Sequence, residues 1–287
     1  MKVSNWERFV PRIKKYLTSL CDNFKAGNVS KKFSEWKKIT SDKDILSDVR
    51  GMSIECTDIP EQHYLRPPSF SQTESMIIDM EVGKLLTKEV IKPVANKGEG
   101  IISNIFIRSK KDGSHRLILN LKEFNKNVAY YHFKMDSLNT IIKLMQTDCF
   151  MASIDIKDAY YSIAIREPDQ KYLQFQWKGT VYHFTCLPND LTSGPRKFTK
   201  LFKPPLTALH KLGHISSGHL DDFYLQGKTY NQCVQNVIDT LTMFTNLGLI
   251  VHPSKSVLIP SKEIVTLGFI LNSATMTVKL TAEKAYE

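Results

Sequence analysis

The chain has 287 residues, 42% hydrophobic and 24% charged, with a formal net charge of +10, which supports a sizeable core in one large domain or two intimate subdomains. No apolar run approaches the roughly 18 residues of a membrane span, and the charged start Met1-Lys2-Val3-Ser4-Asn5-Trp6-Glu7-Arg8 precedes no apolar signal core, so membrane insertion and secretion are set aside and an intracellular setting is expected. Residues 1–40 carry ten Lys/Arg against three Asp/Glu and residues 84–126 ten against four; two basic zones of this kind suit a polyanionic partner.

From residue 1 to about 60 the chain is polar and basic, with short helical patterns around Trp6–Leu20 and Phe33–Ile39, and reads as an extension. After Pro67-Pro68, Ser71 and Glu74 form a capping box that opens a helix whose apolar stripe, Ile77, Ile78, Glu81 and Leu85, is partial and is thickened by Met80, Val82, Leu86 and Val90. Two strand-like runs, Ile101–Arg108 and His115–Leu121, flank Ser109-Lys110-Lys111-Asp112-Gly113-Ser114, the pattern of a β-hairpin. Lys110 and Lys111 at its tip and Arg116 on the returning strand could close over a triphosphate, Arg by bidentate contact and Lys as a point charge.

Two acidic segments follow. In Phe150–Ile156, apolar Phe150, Ala152, Ile154 and Ile156 alternate with Met151, Ser153 and Asp155, so Asp155 stands on the face away from the apolar row. In Gly218-His219-Leu220-Asp221-Asp222-Phe223 the Asp pair reads as the tight turn of a second hairpin. Three carboxylates from two adjacent strands are the oxygen donors that a pair of Mg²⁺ ions needs for in-line phosphoryl transfer. Tyr160, just beyond Asp155, could exclude a ribose 2′-hydroxyl by steric conflict. Leu187–Phe198 reads as a loop entering a helix, and Val234, Val237, Ile238, Leu241, Phe244 and Leu247 give a 3.6-residue stripe ended by Gly248. Leu249–His252, Ser256–Ile259, Val265–Leu271 and Met276–Leu280 read as strands separated by turns at Pro253, Pro260 and Asn272-Ser273. His210 and His214 have the spacing of a zinc pair on a helix, but no Glu follows His210 and Gly213 weakens the helix. The five scattered cysteines lack any Cys-x-x-Cys pair and read as reduced thiols.

Six blocks in this order resemble a reverse transcriptase: Lys110–Leu121 with Asn125, Phe150–Tyr160, Leu187–Phe198, Leu220-Asp221-Asp222, His252–Ser256 and Leu267–Leu271. The resemblance runs from about Phe33 to Ala285. It is nearest to the DIRS-type, tyrosine-recombinase retrotransposons, with Ty3-like and retroviral enzymes further off. It implies an α+β right-hand polymerase with fingers and palm subdomains and an antiparallel palm sheet backed by helices. The thumb would be absent or truncated. Residues 1–60 would be a basic N-terminal extension, 61–130 and 163–193 fingers, 131–162 and 194–274 palm, and 276–287 the start of a connection to a missing thumb.

By the same resemblance, Asp155, Asp221 and Asp222, assisted by the Ile156 carbonyl, would hold two Mg²⁺ ions, with Mn²⁺ an alternative. Lys110, Lys111, Arg116, Tyr160 and Asn189 would bind the dNTP, Lys255 would protonate the leaving pyrophosphate, and Leu267, Gly268 and Phe269 would grip the primer. The implied partners are an RNA template, a DNA primer and dNTPs, with no membrane; thumb, ribonuclease H and recombinase regions would lie elsewhere in a longer polyprotein. Two positions depart from the pattern. Asp190 stands where relatives generally carry Gly, and at about 7 Å and an effective dielectric near 20 each like-charge pair there would cost on the order of 2 kcal/mol. His219 replaces a usual aromatic. Both suit an alternative reading, a catalytically impaired, retroelement-derived nucleic-acid-binding protein.

Overall fold

The computed structural model describes residues 5–62, 66–94, 100–110 and 112–285. In chain order the helices are α1 (Trp6–Asp22), α2 (Phe33–Ile39), α3 (Lys43–Arg50), α4 (Gln72–Thr87), α5 (Leu138–Leu144), α6 (Glu167–Gln170), α7 (Gly194–Lys211), α8 (Tyr230–Asn246) and α9 (Ala282–Ala285). The strands are β1 (Ile91–Pro93), β2 (Ile105–Ser109), β3 (His115–Leu119), β4 (Phe150–Asp155), β5 (Gln174–Trp177), β6 (Thr180–Phe184), β7 (Ile215–His219), β8 (Asp222–Gly227), β9 (Val257–Ser261), β10 (Glu263–Thr266), β11 (Phe269–Asn272) and β12 (Thr277–Leu280).

The central sheet has the order β7-β8-β4-β9 and is antiparallel throughout. Strand alternation sorts its side chains. Ala152, Ile154, Phe223 and Leu225 enter the main core, while Met151 and Tyr224 face a smaller cluster with Ile141, Met145, Ile264 and Leu271. The second face of β4 is therefore covered at its start and opens only toward Asp155. On the main-core side α7 packs against β7 and α8 against β8 and β9. Phe198 and Phe202 from α7, Phe223 from β8 and Phe244 from α8 form an aromatic cluster, with the Phe202–Phe223 and Phe223–Phe244 centroids 4.9 and 4.8 Å apart. Such offset and edge contacts add to area burial and fix helix position on the sheet.

Smaller sheets flank this one: β1-β6-β5, the β2-β3 hairpin and β10-β11-β12. The predicted capping box is present, Ser71 Oγ accepting from Glu74 N–H while the Glu74 carboxylate accepts from Ser71 N–H. As its partial apolar stripe predicts, α4 packs against β1 and β3. The α8 stripe is buried as expected, and Gly248 follows at φ +86°.

Three readings need correction. The basic N-terminal segment is not a mere extension. Trp6, Val10, Leu17, Phe24, Val29, Trp36, Ile45 and Val49 are buried in the same core as the central sheet. Trp6 Nε1 donates to the Leu258 carbonyl at 2.7 Å and Trp36 Nε1 to that of Leu247 at 3.0 Å. Arg8, Arg12 and Lys15 of α1 and Lys37 and Lys38 of α2 are exposed on the outward side of amphipathic helices, so average polarity masked an apolar stripe. Second, Val265–Leu271 is not one strand: Leu267 (φ +50°) and Gly268 (φ +77°) turn the chain between β10 and β11. Third, Pro260 is no turn but sits inside β9, which is tolerated because β9 is an edge strand with a register shift against β4.

Candidate active site at the β4–β8 strand ends

Asp155 is the last residue of β4 and Asp222 the first of β8, and the two are direct cross-strand partners. The β7–β8 hairpin closes with His219 opposite Asp222, so Leu220 and Asp221 form its two-residue tip, with Leu220 at φ +53°. A non-glycine residue held in that region costs of order 1 kcal/mol or more and persists only where its surroundings impose it. Here the constraint is visible: Ile156 N–H donates to the Asp221 carbonyl at 2.8 Å, tying the hairpin tip to the end of β4. The Asp155 backbone is fixed on both sides, its N–H donating to Ser256 Oγ at 3.0 Å and its carbonyl accepting from His252 N–H at 2.8 Å. All three aspartates thus meet at one end of two paired strands.

Their electrostatics record the crowding. Burial, opposed by Lys255 and reinforced by Asp221 and Asp222, pushes the Asp155 carboxyl up to about 7. Burial, then Asp221, raises Asp222 as well. Lys255 Nζ stands 3.9 Å from Asp155 Oδ2 on a largely exposed side chain. Among the described residues, no three His, Cys, Asp or Glu side chains are already gathered at ligand spacing. The backbone register is set by the β4–β8 pairing, and Asp155 faces the Lys255 ammonium. The donor chemistry nonetheless fits a hard divalent ion: carboxylate oxygens, crowded and partly desolvated, in a place where positive charge lowers the cost of ionising them.

Tyr160 lies beside this group, since burial and then Asp221 raise its phenol above the ordinary value. Its ring packs 5.2 Å from that of Phe198, which anchors it to the aromatic core. Asn189 is oriented by its Nδ2 bond to the Tyr161 hydroxyl, 3.2 Å. The β2–β3 tip carries Lys110, whose ammonium titrates below the ordinary lysine value through partial desolvation and then Arg116. The charges of Lys157 and Asp158 both act on it, so Lys110 lies on the same side of the molecule as the end of β4. Lys111 lies outside the described residues. Leu267 and Gly268 form the β10–β11 tip and Phe269 opens β11; Lys284 Nζ donates to the Leu267 carbonyl at 3.0 Å and sits 4.2 Å from the centre of the Phe269 ring.

Asp190 behaves differently from expectation. Its Oδ2 accepts from Leu121 N–H and its carbonyl from Asn125 Nδ2, both at 2.8 Å, and it is not among the charges that act most on Asp155 or Asp222. The carboxylate caps the exit of the β3 hairpin. His219 is likewise placed, its Nδ1 meeting the Asp136 carbonyl while Ser217 Oγ donates to Asp136 Oδ2 at 2.7 Å. His210 and His214 do not share a helix face, because α7 ends at Lys211; they meet Ser216 and Asp239. Sequence reasoning missed Ser256 and Asp136 as positioning residues, since their contacts with Asp155 and Ser217 span 101 and 81 residues.

An antiparallel sheet presenting three carboxylates at one hairpin end, with a cationic hairpin above it, defines a polymerase-type palm with fingers. Residues 108–271 match the family described as reverse transcriptase (RNA-dependent DNA polymerase), and the chain belongs to that family. Among curated proteins it is similar to the Tf2-3 and Tf2-7 transposon polyproteins of Schizosaccharomyces pombe, 23% and 22% identical over 232 residues. The match covers 78% of this chain and 17% of those polyproteins, so the chain spans about a sixth of their length. Among solved structures its fold resembles the foamy viral protease–reverse transcriptase in complex with double-stranded DNA (TM-score 0.66, 22% identity, 79% of this chain and 45% of that one). The same viral protein in complex with an RNA/DNA hybrid gives a TM-score of 0.64 at 21% identity, over 79% of this chain and 29% of that one. The α+β right-hand fold with fingers and palm is thereby established.

Proposed function

We propose that this chain is the RNA-directed DNA polymerase region of a retrotransposon polyprotein, joining dNTPs to a primer 3′ end by two-metal nucleotidyl transfer on an RNA template. The observation that carries the reading is the convergence of Asp155, Asp221 and Asp222 at one strand end, held by the Asp155–Asp222 register and the Ile156–Asp221 backbone bond. In the reaction the primer 3′ oxygen attacks the α-phosphorus, the bond from that phosphorus to the bridging oxygen breaks, and pyrophosphate leaves. Two Mg²⁺ ions, or Mn²⁺, held by the three aspartates with the Ile156 carbonyl, would lower the charge on attacking and leaving oxygens. Lys110, Lys111, Arg116 and Asn189 would hold the nucleotide, Tyr160 would test its sugar, and Lys255 would give the leaving group a proton. Leu267, Gly268 and Phe269, at the β10–β11 turn, would bear on the primer. Template and primer would be held mainly through backbone and A-form shape.

In this reading the fingers comprise roughly 61–130 and 163–193 and the palm 131–162 and 194–274, with residues 1–60 an N-terminal part packed into the same core. Origin in a DIRS-type element and an intracellular location rest on the sequence blocks and composition. Thumb, ribonuclease H and recombinase regions would belong to other parts of the polyprotein.

Primer extension on an RNA template with dNTPs and Mg²⁺ tests the activity: extension is expected, and Asp221→Asn should remove it by at least roughly a thousandfold, the scale on which transition-state charge stabilisation operates. Absence of extension by the unaltered chain that still binds hybrid would contradict it. The Asp190→Gly variant separates the impaired-remnant alternative. Because Asp190 caps Leu121, the variant should gain no activity and lose about 1 kcal/mol of stability. Extension appearing only in Asp190→Gly would favour the remnant.

A further inference from the structure

Helix α1 builds a second site beside the first. It is clamped along the segment that precedes and enters β9, with Trp6 Nε1 on the Leu258 carbonyl at 2.7 Å and Cys21 Sγ on the Val251 carbonyl at 3.7 Å. Between these anchors a cleft of about 670 Å³ opens, lined by Lys14, Thr18, Cys21 and Asp22 of α1, by Lys88 and Lys157, and by the His252-Pro253-Ser254 turn. Three lysines, Lys14, Lys88 and Lys157, stand there against the carboxylates of Asp22 and Asp158. Lys88 is neutralised by Asp158 at 2.6 Å, but Lys14 and Lys157 are half-buried, and among the described residues neither has an ion-pair partner. A multivalent anion between them would be attracted by both charges at once.

Lys157 belongs to both places. It lies two residues beyond Asp155, its N–H donates to the Ile250 carbonyl at 2.7 Å, and its charge acts on Asp155 and Lys110 on one side and on Cys21 and His252 on the other. A small anion leaving the carboxylate end would therefore meet the cleft with Lys157 as the shared contact. We propose that this cleft binds the pyrophosphate released by nucleotidyl transfer, with Lys14 and Lys157 as its cationic walls; the identity of the anion rests on the polymerase reading above. The cleft is bounded by α1 and the 252–254 turn, and at about 670 Å³ it has room for a hydrated polyanion.

The test uses the whole chain with Lys14→Ala and Lys14→Glu, both on α1 and outside the catalytic machinery, checked for unchanged melting. Sodium pyrophosphate is titrated calorimetrically in EDTA, with sulfate and a short DNA duplex as comparison ligands. Pyrophosphate binding roughly tenfold weaker in Lys14→Ala, and weaker still in Lys14→Glu, is expected from loss of one charge-assisted contact. Duplex affinity should change far less. In parallel, pyrophosphate should inhibit primer extension less in Lys14→Ala, with the uninhibited rate unchanged. Equal pyrophosphate affinity in all three proteins, equal weakening for sulfate, or a loss confined to duplex would overturn the proposal. If the chain extends no primer, the polymerase reading fails while the EDTA titration still reports on the cleft.

Discussion

Asp155 is where burial and like charge meet most sharply, and the sign of its effect follows from linkage. Its carboxyl sits at about 7 in the folded chain against an ordinary 3.8, so between those values the folded state holds the proton that the unfolded state has lost. Metal-free stability should therefore fall as pH rises from about 4 to about 7 and level off above. Asp155→Asn should flatten that slope and raise the melting temperature at neutral pH while abolishing extension; thermal melts in EDTA from pH 4.5 to 8 read it directly, and an unchanged slope would count against the crowding. The acidic segments were legible because each is local, a period-2 run ending in Asp155 and an Asp-Asp pair flanked by strand residues, although the turn is Leu220-Asp221 and Asp222 already belongs to β8. Ser256, Asp136 and Lys157 were not, because their roles arise from register between distant segments. Asp190 shows the same limit, since a charge judged by sequence position alone looked harmful while its actual partner is the Leu121 N–H.

Among the elements, those with chemical punctuation were read well. Ser71 with Glu74 marked the start of α4, Gly248 the end of α8, and Asp112-Gly113 the β2–β3 hairpin. The β10–β11 turn was missed because Leu267 is an aliphatic residue at positive φ, which no turn preference announces. Its partner Gly268 stands at φ +77°, and a Cβ there would meet Lys284 Cδ at 2.7 Å. Gly268→Ala should accordingly destabilise the chain by about 1 kcal/mol, the cost of a side chain in the left-handed region plus displacement of a flexible lysine. Urea titration measures this, and a neutral result would mean that the turn tolerates another geometry.

On the scale of the molecule, the largest difference from expectation is that residues 6–50 contribute to the core. Asn28 presses on Gly248, where a Cβ would come within 2.4 Å of the Asn28 carbonyl, and Gly27 and Val29 donate to the Tyr161 and Ser162 carbonyls at 2.9 and 3.0 Å. The segment thus braces the turn that carries Tyr160. Trp36 is fully buried and bonded to Leu247, so Trp36→Ala should cost about 3–5 kcal/mol in urea unfolding, whereas a solvated extension would lose under about 0.5 kcal/mol. Composition could not show this, because ten basic residues in the first 40 dilute the buried tryptophans and valines in any average. The account as a whole depends on the carboxylates at the β4 and β8 ends accepting divalent ions. Anomalous scattering from crystals of the chain soaked in Mn²⁺ tests that most directly. Two peaks about 3.5–4 Å apart among Asp155, Asp221 and Asp222 are predicted, and Mn²⁺ bound elsewhere with none at these three residues would contradict it.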